Sequence, residues 1–389
     1  MKKIVYMILP FLVVALAGCK DEKTKRGDYV KDVLREEVLK QAEANMSEKP
    51  VTVTDFIAER STGGIHDFYS EGDYWWPDSL NPDGPYIKKD GMTNPDNFVA
   101  HRHAMIRFSR IVANLTSAYL LTGDERYVAP ALEHIDSWFM DDSTKMNPNL
   151  LYAQAIKGIA TGRGIGIIDT IHLIEVVQSL IKLEEAGVLP AEYADKTKEW
   201  FAEYLDWMST HPYGIKEKNA ANNHGTCWAM QAAEFAKYTG NEEMMDSCRV
   251  RFKNLFLVRQ MASDGSFPLE LDRTKPYGYS LFNLDAMAAL CHILSTESDD
   301  MWTYTTADGK NMKLGLDFIS PYIADKDSWP YQQDVMYWDE WPVAHPAMLF
   351  GWLEFGDAGY QYLWENNNHF PENEEVIRNL PIRNPILWI

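Results

Sequence analysis

The chain has 389 residues, and 57 acidic against 37 basic side chains give it a formal charge of −20. That excess repels a phosphate backbone, which excludes nonspecific nucleic-acid binding and requires any polyanionic ligand to be met by a locally basic cleft. Hydrophobic residues make up 46% of the chain, enough for a large core, and no linker-like stretch divides it.

In chain order, Met1-Lys2-Lys3 precedes an apolar run, Ile4 to Ala17, that is too short and wrongly flanked for a spanning helix and reads as an export signal. Leu16-Ala17-Gly18-Cys19 then places a cysteine after small residues, the arrangement bacterial lipoprotein signals use for lipidation. The expectation is a signal peptide over residues 1–18, a membrane tether through a lipid on Cys19, and a single domain over residues 19–389. Losing Lys2 and Lys3 takes the charge from −20 to −22. Lys20-Asp21-Glu22 resembles the lysine-plus-acid tag of some surface-directed Bacteroidetes lipoproteins, although such a stretch also serves as plain solvated linker. The location expected is therefore the periplasmic face of a membrane or the outer-membrane cell surface. Cys227, Cys248 and Cys291 cannot pair fully and lack metal-site spacing, so buried free thiols are expected.

Beyond the leader the organisation is helical, with repeated corners. Gly123-Asp124, Gly240-Asn241 and Gly356-Asp357 each combine a residue suited to a left-handed helix end with one suited to an N-cap. Glu185-Ala186-Gly187 with Pro190 is a looser version, the proline fitting a first helical turn. Between corners Ile106, Ile111, Leu115 and Tyr119 recur at helical spacing, as do Trp228, Ala232, Phe235 and Ala236. Helical hairpins laid side by side make an open solenoid or a closed toroid. Irregular spacing and long aromatic loops, such as Asp73 to Asn97, favour the toroid, with strands minor.

Two segments carry chemistry. Asn219 to Gly225 precedes a helical run, so Asn222 or Asn223 can cap it and His224 falls in or near its first turn. Free amides and the positive dipole end there attract a carboxylate and disfavour a protonated imidazole, keeping His224 neutral as base or donor. Ordinary capping with a surface histidine is the plain alternative. The second segment runs from Pro268 through Arg273, Lys275, Tyr277 and Tyr279 to the apolar helix Leu281 to Leu294, with Ser280 as its expected cap. Arg273 can neutralise a carboxylate bidentately, and a tyrosine whose pKa falls beside such cations can donate or accept a proton. Alone, this loop would be a salt-bridged corner in which Glu270 or Asp272 satisfies Arg273. Gly162-Arg163-Gly164-Ile165-Gly166 lacks the last glycine of a dinucleotide fingerprint and sits in no βαβ unit, so it reads as a turn presenting Arg163. Trp75, Trp76 and Tyr86 can stack on sugar rings or simply pack.

Together these segments resemble the alginate lyase family of polysaccharide lyases over Asp73 to about Tyr362. The matching stretches are Asp73 to Pro77, Gly84 to Gly91 with Asn94-Pro95, Met146 to Gln154 followed by Gly162 to Gly166, Asn222 to Gly225, and Arg273 through Tyr279 to Leu284. The resemblance implies an all-α fold, an (α/α) toroid or incomplete barrel of about six to seven helical hairpins. It also implies β-elimination on a 1,4-linked uronic acid polymer, alginate or alternatively glucuronan, giving unsaturated uronate ends. The proton at C5 is removed and the C4 oxygen leaves, with Asn223 and Arg273 neutralising the carboxylate, Tyr279 protonating the leaving oxygen, and Tyr279 or His224 as base according to substrate stereochemistry. Substrate contacts are implied for Arg163, Gln154, Trp75, Trp76, Tyr86, Lys88, Tyr277 and Lys275. The best-known branch has one more residue between arginine and tyrosine and a histidine where Ser280 stands, which keeps Tyr277 as a reserve candidate. No cofactor or metal is implied, since His66, His101 and His103 lack ligand spacing; the last two would line the cleft or face solvent.

Two other classes compete. A lipid-anchored glycan-binding protein would need the aromatic platforms but not Asn223, His224, Arg273 and Tyr279. A hydrolase on a related toroid would need two opposed carboxylates, for which Asp90, Glu270, Asp272 and Asp339 are available.

Overall fold

The computed structural model describes the backbone of residues 8–389 and the side chains from residue 22 onward. The expectations for the leader and for the Cys19 thiol fall on residues 1–7 and on side chains that lie outside this description.

Helix α1 (Ile8–Asn45) lays Val30, Leu34, Val38 and Ala42, one residue per turn, against α2 (Ala100–Thr122). The chain then alternates between two layers. Helices α2, α4 (Leu173–Glu185), α7 (Asn223–Thr239), α10 (Pro276–Leu294) and α12 (Pro346–Phe355) pack successively on one another. Their partners, α3 (Val128–Phe139), α5 (Ala191–Thr210), α8 (Glu242–Arg251), α11 (Met312–Ala324) and α13 (Ala358–Glu365), lie outside them. Burial separates the layers: α10 is buried along almost its whole length, whereas α5 and α8 bury one stripe and expose charges on the other. This is the all-α toroid expected. The short helices α6 (Pro212–Lys218), α9 (Pro268–Leu271) and α14 (Glu374–Arg378) decorate the end where the N-termini of α7 and α10 meet.

Corner chemistry follows the sequence closely. Gly123, Gly240 and Gly356 have φ of 70°, 72° and 68°, and each backbone N–H closes the preceding helix. Asp124, Asn241 and Asp357 accept backbone N–H groups of the next turn. Pro190 stands one place earlier than expected, as the N-cap of α5 rather than inside its first turn. Aromatic contacts tie the helices together: Phe108 of α2 stacks on Trp138 of α3 at 4.8 Å and Phe201 of α5 meets Phe235 of α7 at 5.0 Å, joining the layers, while Phe139 of α3 and Trp200 of α5, 4.6 Å apart, join two outer helices. Each such fully buried ring contributes about 1.5–3 kcal/mol through burial alone.

Strands are few. β1 (Tyr69–Glu71) pairs in parallel with β4 (Tyr152–Ala155), and β2 (Trp75–Trp76) pairs antiparallel with β3 (Ile87–Lys88), making the loop from Asp73 to Asn97 a small ribbon over the cleft. Among the described residues no single helix is long and apolar enough to cross a membrane. Cys227, Cys248 and Cys291 are buried free thiols.

Candidate active site

A cavity of about 380 Å³ opens where the N-termini of α7 and α10, the β2–β3 ribbon and α14 converge. Four cations, Lys88, Arg163, Arg273 and Arg378, line it against two carboxylates, Asp73 and Asp90. In a chain of net −20 this is the locally basic cleft that a polyanion requires.

Helix α7 begins at Asn223, but neither asparagine caps it through its side chain. Glu270, brought in on α9, accepts the Asn223 backbone N–H at 2.7 Å and its side-chain Nδ2–H at 2.6 Å. The carboxylate thus caps the helix and orients the amide, leaving Asn223 Oδ1 without a protein partner among the described residues. Burial pushes the Glu270 carboxyl up, opposed by those two hydrogen bonds. His224, next in the first turn, faces the cleft with Nδ1 at 2.5 Å from Glu217 Oε1. A carboxylate only accepts, so Nδ1 carries a proton, and in the neutral ring Nε2 keeps its lone pair. Glu217, from α6, is 1% exposed. The dipole argument alone missed it, although Glu217 stands only seven residues before His224.

Helix α10 starts five residues earlier than the sequence led us to expect. Pro276 takes its first position, where its fixed φ fits and its missing N–H costs nothing. Asp334 accepts the Tyr277 and Gly278 N–H groups, both at 2.9 Å, so Ser280 is not a cap; its hydroxyl donates to the Pro276 carbonyl inside the helix. Tyr277 and Tyr279 therefore point to different sides of one helical turn. Tyr279 lines the cavity, with the Arg273 guanidinium carbon 4.6 Å from its ring centre and its hydroxyl 2.5 Å from that of Tyr74. Tyr277 packs against Trp329 and Trp338, donates to the Tyr322 carbonyl and is wholly buried away from the cleft. The expected lowering of the Tyr279 pKa is not found. Burial and the neighbouring Tyr74 raise the phenol well above its ordinary value, more than Lys275 and Arg273 pull it down.

Arg273 pairs with Asp90, at 3.3 and 3.4 Å, not with Glu270 or Asp272. The Asp90 carboxyl also accepts from Lys88 at 2.8 Å and from Thr274 at 3.0 Å. Arg163 is presented as the glycine run implied: a Cβ at Gly162 would stand 1.9 Å from the Leu151 carbonyl oxygen, and one at Gly164 2.5 Å from that of Tyr213. These clearances seat the turn so that Arg163 donates to the Gln154 carbonyl at 2.6 Å and lies over Trp75. Gln154, at φ 52°, lines the cavity but spends its amide N–H groups on Asp73 and Asp169.

Of the residues singled out in the sequence, Trp75, Lys88, Gln154, Arg163, Asn223, His224, Arg273 and Tyr279 converge on this cavity. Trp76, Tyr86, Lys275 and Tyr277 do not. Trp76 donates to the Met92 carbonyl under Lys89, Tyr86 accepts from Arg60, and Lys275 is buried behind the tyrosines in an ion pair with Glu375. His101 is held between the Tyr69 backbone N–H and the Phe56 carbonyl, remote from the cavity. Missed were Tyr74, which stands in the Asp73 to Pro77 stretch beside the tryptophans singled out there, and Arg378 and Asn379, whose segment carries no motif. Neither carboxylate of the cleft is unpaired, for Asp73 is held by Arg102 and Arg378, and Asp272 and Asp339 are exposed elsewhere.

The alginate lyase family profile matches residues 52–329. The chain belongs to the alginate lyase family. As a member it is a polysaccharide lyase. An alginate lyase from Bacteroides ovatus is 32% identical, with a TM-score of 0.81 over 94% of this chain and 97% of that one. Alginate lyase A1-III from Sphingomonas species A1 shares the fold at 12% identity and a TM-score of 0.53, over 90% of this chain and 94% of that one. A variant of alginate lyase A1-III complexed with a tetrasaccharide aligns at 13% identity and a TM-score of 0.58, over 88% of each chain. No curated protein matches the sequence.

Proposed function

We propose that this lyase cleaves alginate, a 1,4-linked uronic acid polymer, by β-elimination in the cleft between α7 and α10, and leaves an unsaturated uronate at the new end. The observation that carries the proposal is the convergence of Arg273, Asn223, His224 and Tyr279 on one cation-rich cavity. Removing the C5 proton places charge on the adjacent carboxylate as it becomes enolate-like. Arg273 supplies charge where that charge develops, and the second N–H of the Asn223 side chain, the one Glu270 does not accept, supplies a donor; Asp90 and Glu270 hold the two side chains in place beforehand. His224, with Glu217 on Nδ1, offers Nε2 as base. Tyr279, protonated at rest because burial raises its pKa, donates to the departing C4 oxygen.

This division of labour fits a substrate whose C5–H and O4 lie on opposite faces, as in the guluronate of alginate. Mannuronate and, as the second reading, the glucuronate of glucuronan have both on one face and would need Tyr279 as base and therefore its prior deprotonation. A hydrolase is disfavoured by the pairing of both cleft carboxylates. A purely glycan-binding role leaves the Glu217–His224 pair and the buried Tyr279 without a task. We also propose that the chain is anchored by a lipid on Cys19 at the periplasmic or outer face of a membrane, which the residues around Cys19 support; incorporation of a labelled fatty acid should be lost in Cys19→Ser.

The test is ultraviolet absorbance of unsaturated uronate during separate incubation with polymannuronate, polyguluronate and glucuronan. A rise with polyguluronate supports His224 as base. A rise with polymannuronate or glucuronan but not with polyguluronate would overturn that assignment and move the base to Tyr279, and no rise with any of the three would refute the proposed substrate class.

A further inference from the structure

A second cavity, of about 510 Å³, lies behind the wall formed by Asp73 and Arg378, which line both spaces. Helix α2 presents His103, Arg107 and Arg110 to it at spacings of three and four residues, along one face, and the segment after α14 adds Arg383. The arginines of the wall are spent: Arg378 pairs with Asp73 at 2.9 Å and Glu375 at 3.1 Å, and Arg102 pairs with Asp73 at 2.6 Å. Those further in are satisfied only in part: Arg107 pairs with Glu48 and Arg383 Nη2 donates to the Ile106 carbonyl at 3.3 Å. Arg110 makes no side-chain hydrogen bond or ion pair among the described residues, Arg383 has a buried Nε without a partner, and Arg107 has a buried Nη1 without one. Glu48, the carboxylate that acts on Arg110, is taken by Arg107, and Glu175 spends its oxygens on the backbone N–H groups of Arg383 and Asn384 and on the Asn384 amide. Unneutralised, half-buried guanidinium groups are costly to keep unless an anion completes them.

We propose that this cavity is a second, non-catalytic site for an oligouronate, whose carboxylate is bound by Arg110 and Arg383. The remaining lining suits a pyranose better than a small inorganic ion. Ile106, Pro95 and Tyr337 supply apolar and aromatic surface for the sugar face, and Glu372 and Glu374 at the rim can accept hydroxyl protons. Tyr337 is held at φ 65°, a strained backbone conformation for a non-glycine residue. The site holds a polymer segment or released product within one wall's thickness of the catalytic cleft. The sugar class rests on the uronate reading given above; the anion site rests on the arginines alone.

The experiment is calorimetric titration of the full-length chain carrying Tyr279→Phe with a saturated mannuronate trisaccharide, in the presence and absence of Arg110→Gln, with inorganic phosphate titrated in parallel. Two trisaccharide sites, one weakened at least tenfold by Arg110→Gln, support the proposal, and Arg383→Gln should weaken the same one. Binding unaffected by either substitution overturns it. Arg110-dependent binding of phosphate but not of trisaccharide overturns the sugar assignment. Arg110-dependent trisaccharide binding by a wild-type chain that cleaves no uronate polymer supports the second site and sinks only the lyase substrate reading. In the wild-type background, Arg110→Gln should leave kcat on a tetrasaccharide unchanged while raising KM for long polymer several-fold.

Discussion

Glu217 and Glu270 do for His224 and Asn223 what no motif in the sequence announces: each buried carboxylate fixes one side chain by a hydrogen bond of 2.5–2.6 Å. If Glu217 fixes the tautomer and steadies the imidazolium formed on proton abstraction, Glu217→Gln should lower kcat by at least tenfold and shift the acid limb of the kcat–pH profile, with KM little changed. A purely structural Glu217 would leave the profile in place and lower only the folded fraction. Tyr279→Phe should abolish turnover while oligosaccharide binding persists by calorimetry. Arg273→Ala should cost about 100- to 1,000-fold in rate and also weaken binding, because it removes a charge preorganised against the developing enolate. Near-normal activity in Tyr279→Phe would remove the tyrosine from the mechanism; Tyr277 could not replace it, being packed between Trp329 and Trp338.

At the scale of elements, glycine corners and catalytic turns fail for different reasons. Gly240 needs only its left-handed φ of 72°, with nothing within 4 Å of a Cβ, so Gly240→Ala should cost about 1–2 kcal/mol of stability and leave kcat intact. Gly162→Ala would push a Cβ to 1.9 Å from the Leu151 carbonyl oxygen, so the turn must move and Arg163 with it. Melting temperature and kcat measured on both variants separate the two cases: activity should fall only in Gly162→Ala. The corners were legible because a helix end is decided by one or two residues. The start of α10 was not, because the group that caps it, Asp334, arrives from 57 residues away. The same holds for Glu270 on Asn223 and for Arg378 in the cleft wall. Residues with local causes, such as Gly123 or Arg163, could be read from the sequence, whereas those positioned by the ring's closure could not. Even the site residues divide this way, since Tyr279 and Tyr277 are two places apart and only the true helix start determines which of them faces substrate.

Across the molecule, among the described residues, the inner layer holds one carboxyl that its packing leaves uncompensated. Glu234 lies on α7 among core residues, fully buried, with neither oxygen hydrogen-bonded, and burial pushes its pKa up to about 7 against an ordinary value of 4.5, with Lys237 and Lys182 opposing weakly. The folded state therefore keeps a proton that the unfolded state releases between those two values. A carboxyl raised in this way contributes stability that is fully present below pH 4.5 and lost as the pH rises through 7. At 1.36 kcal/mol per pH step, the loss is on the order of 3 kcal/mol. Glu234→Gln keeps the shape and removes the titration. Its thermal midpoint should match the wild type near pH 4.5 and exceed it by several degrees at pH 8, with activity unchanged because α7 carries Asn223 and His224 three turns away. A constant difference between the two proteins over that range would mean that Glu234 does not titrate within it, and that a water or lysine partner completes the carboxylate inside the ring.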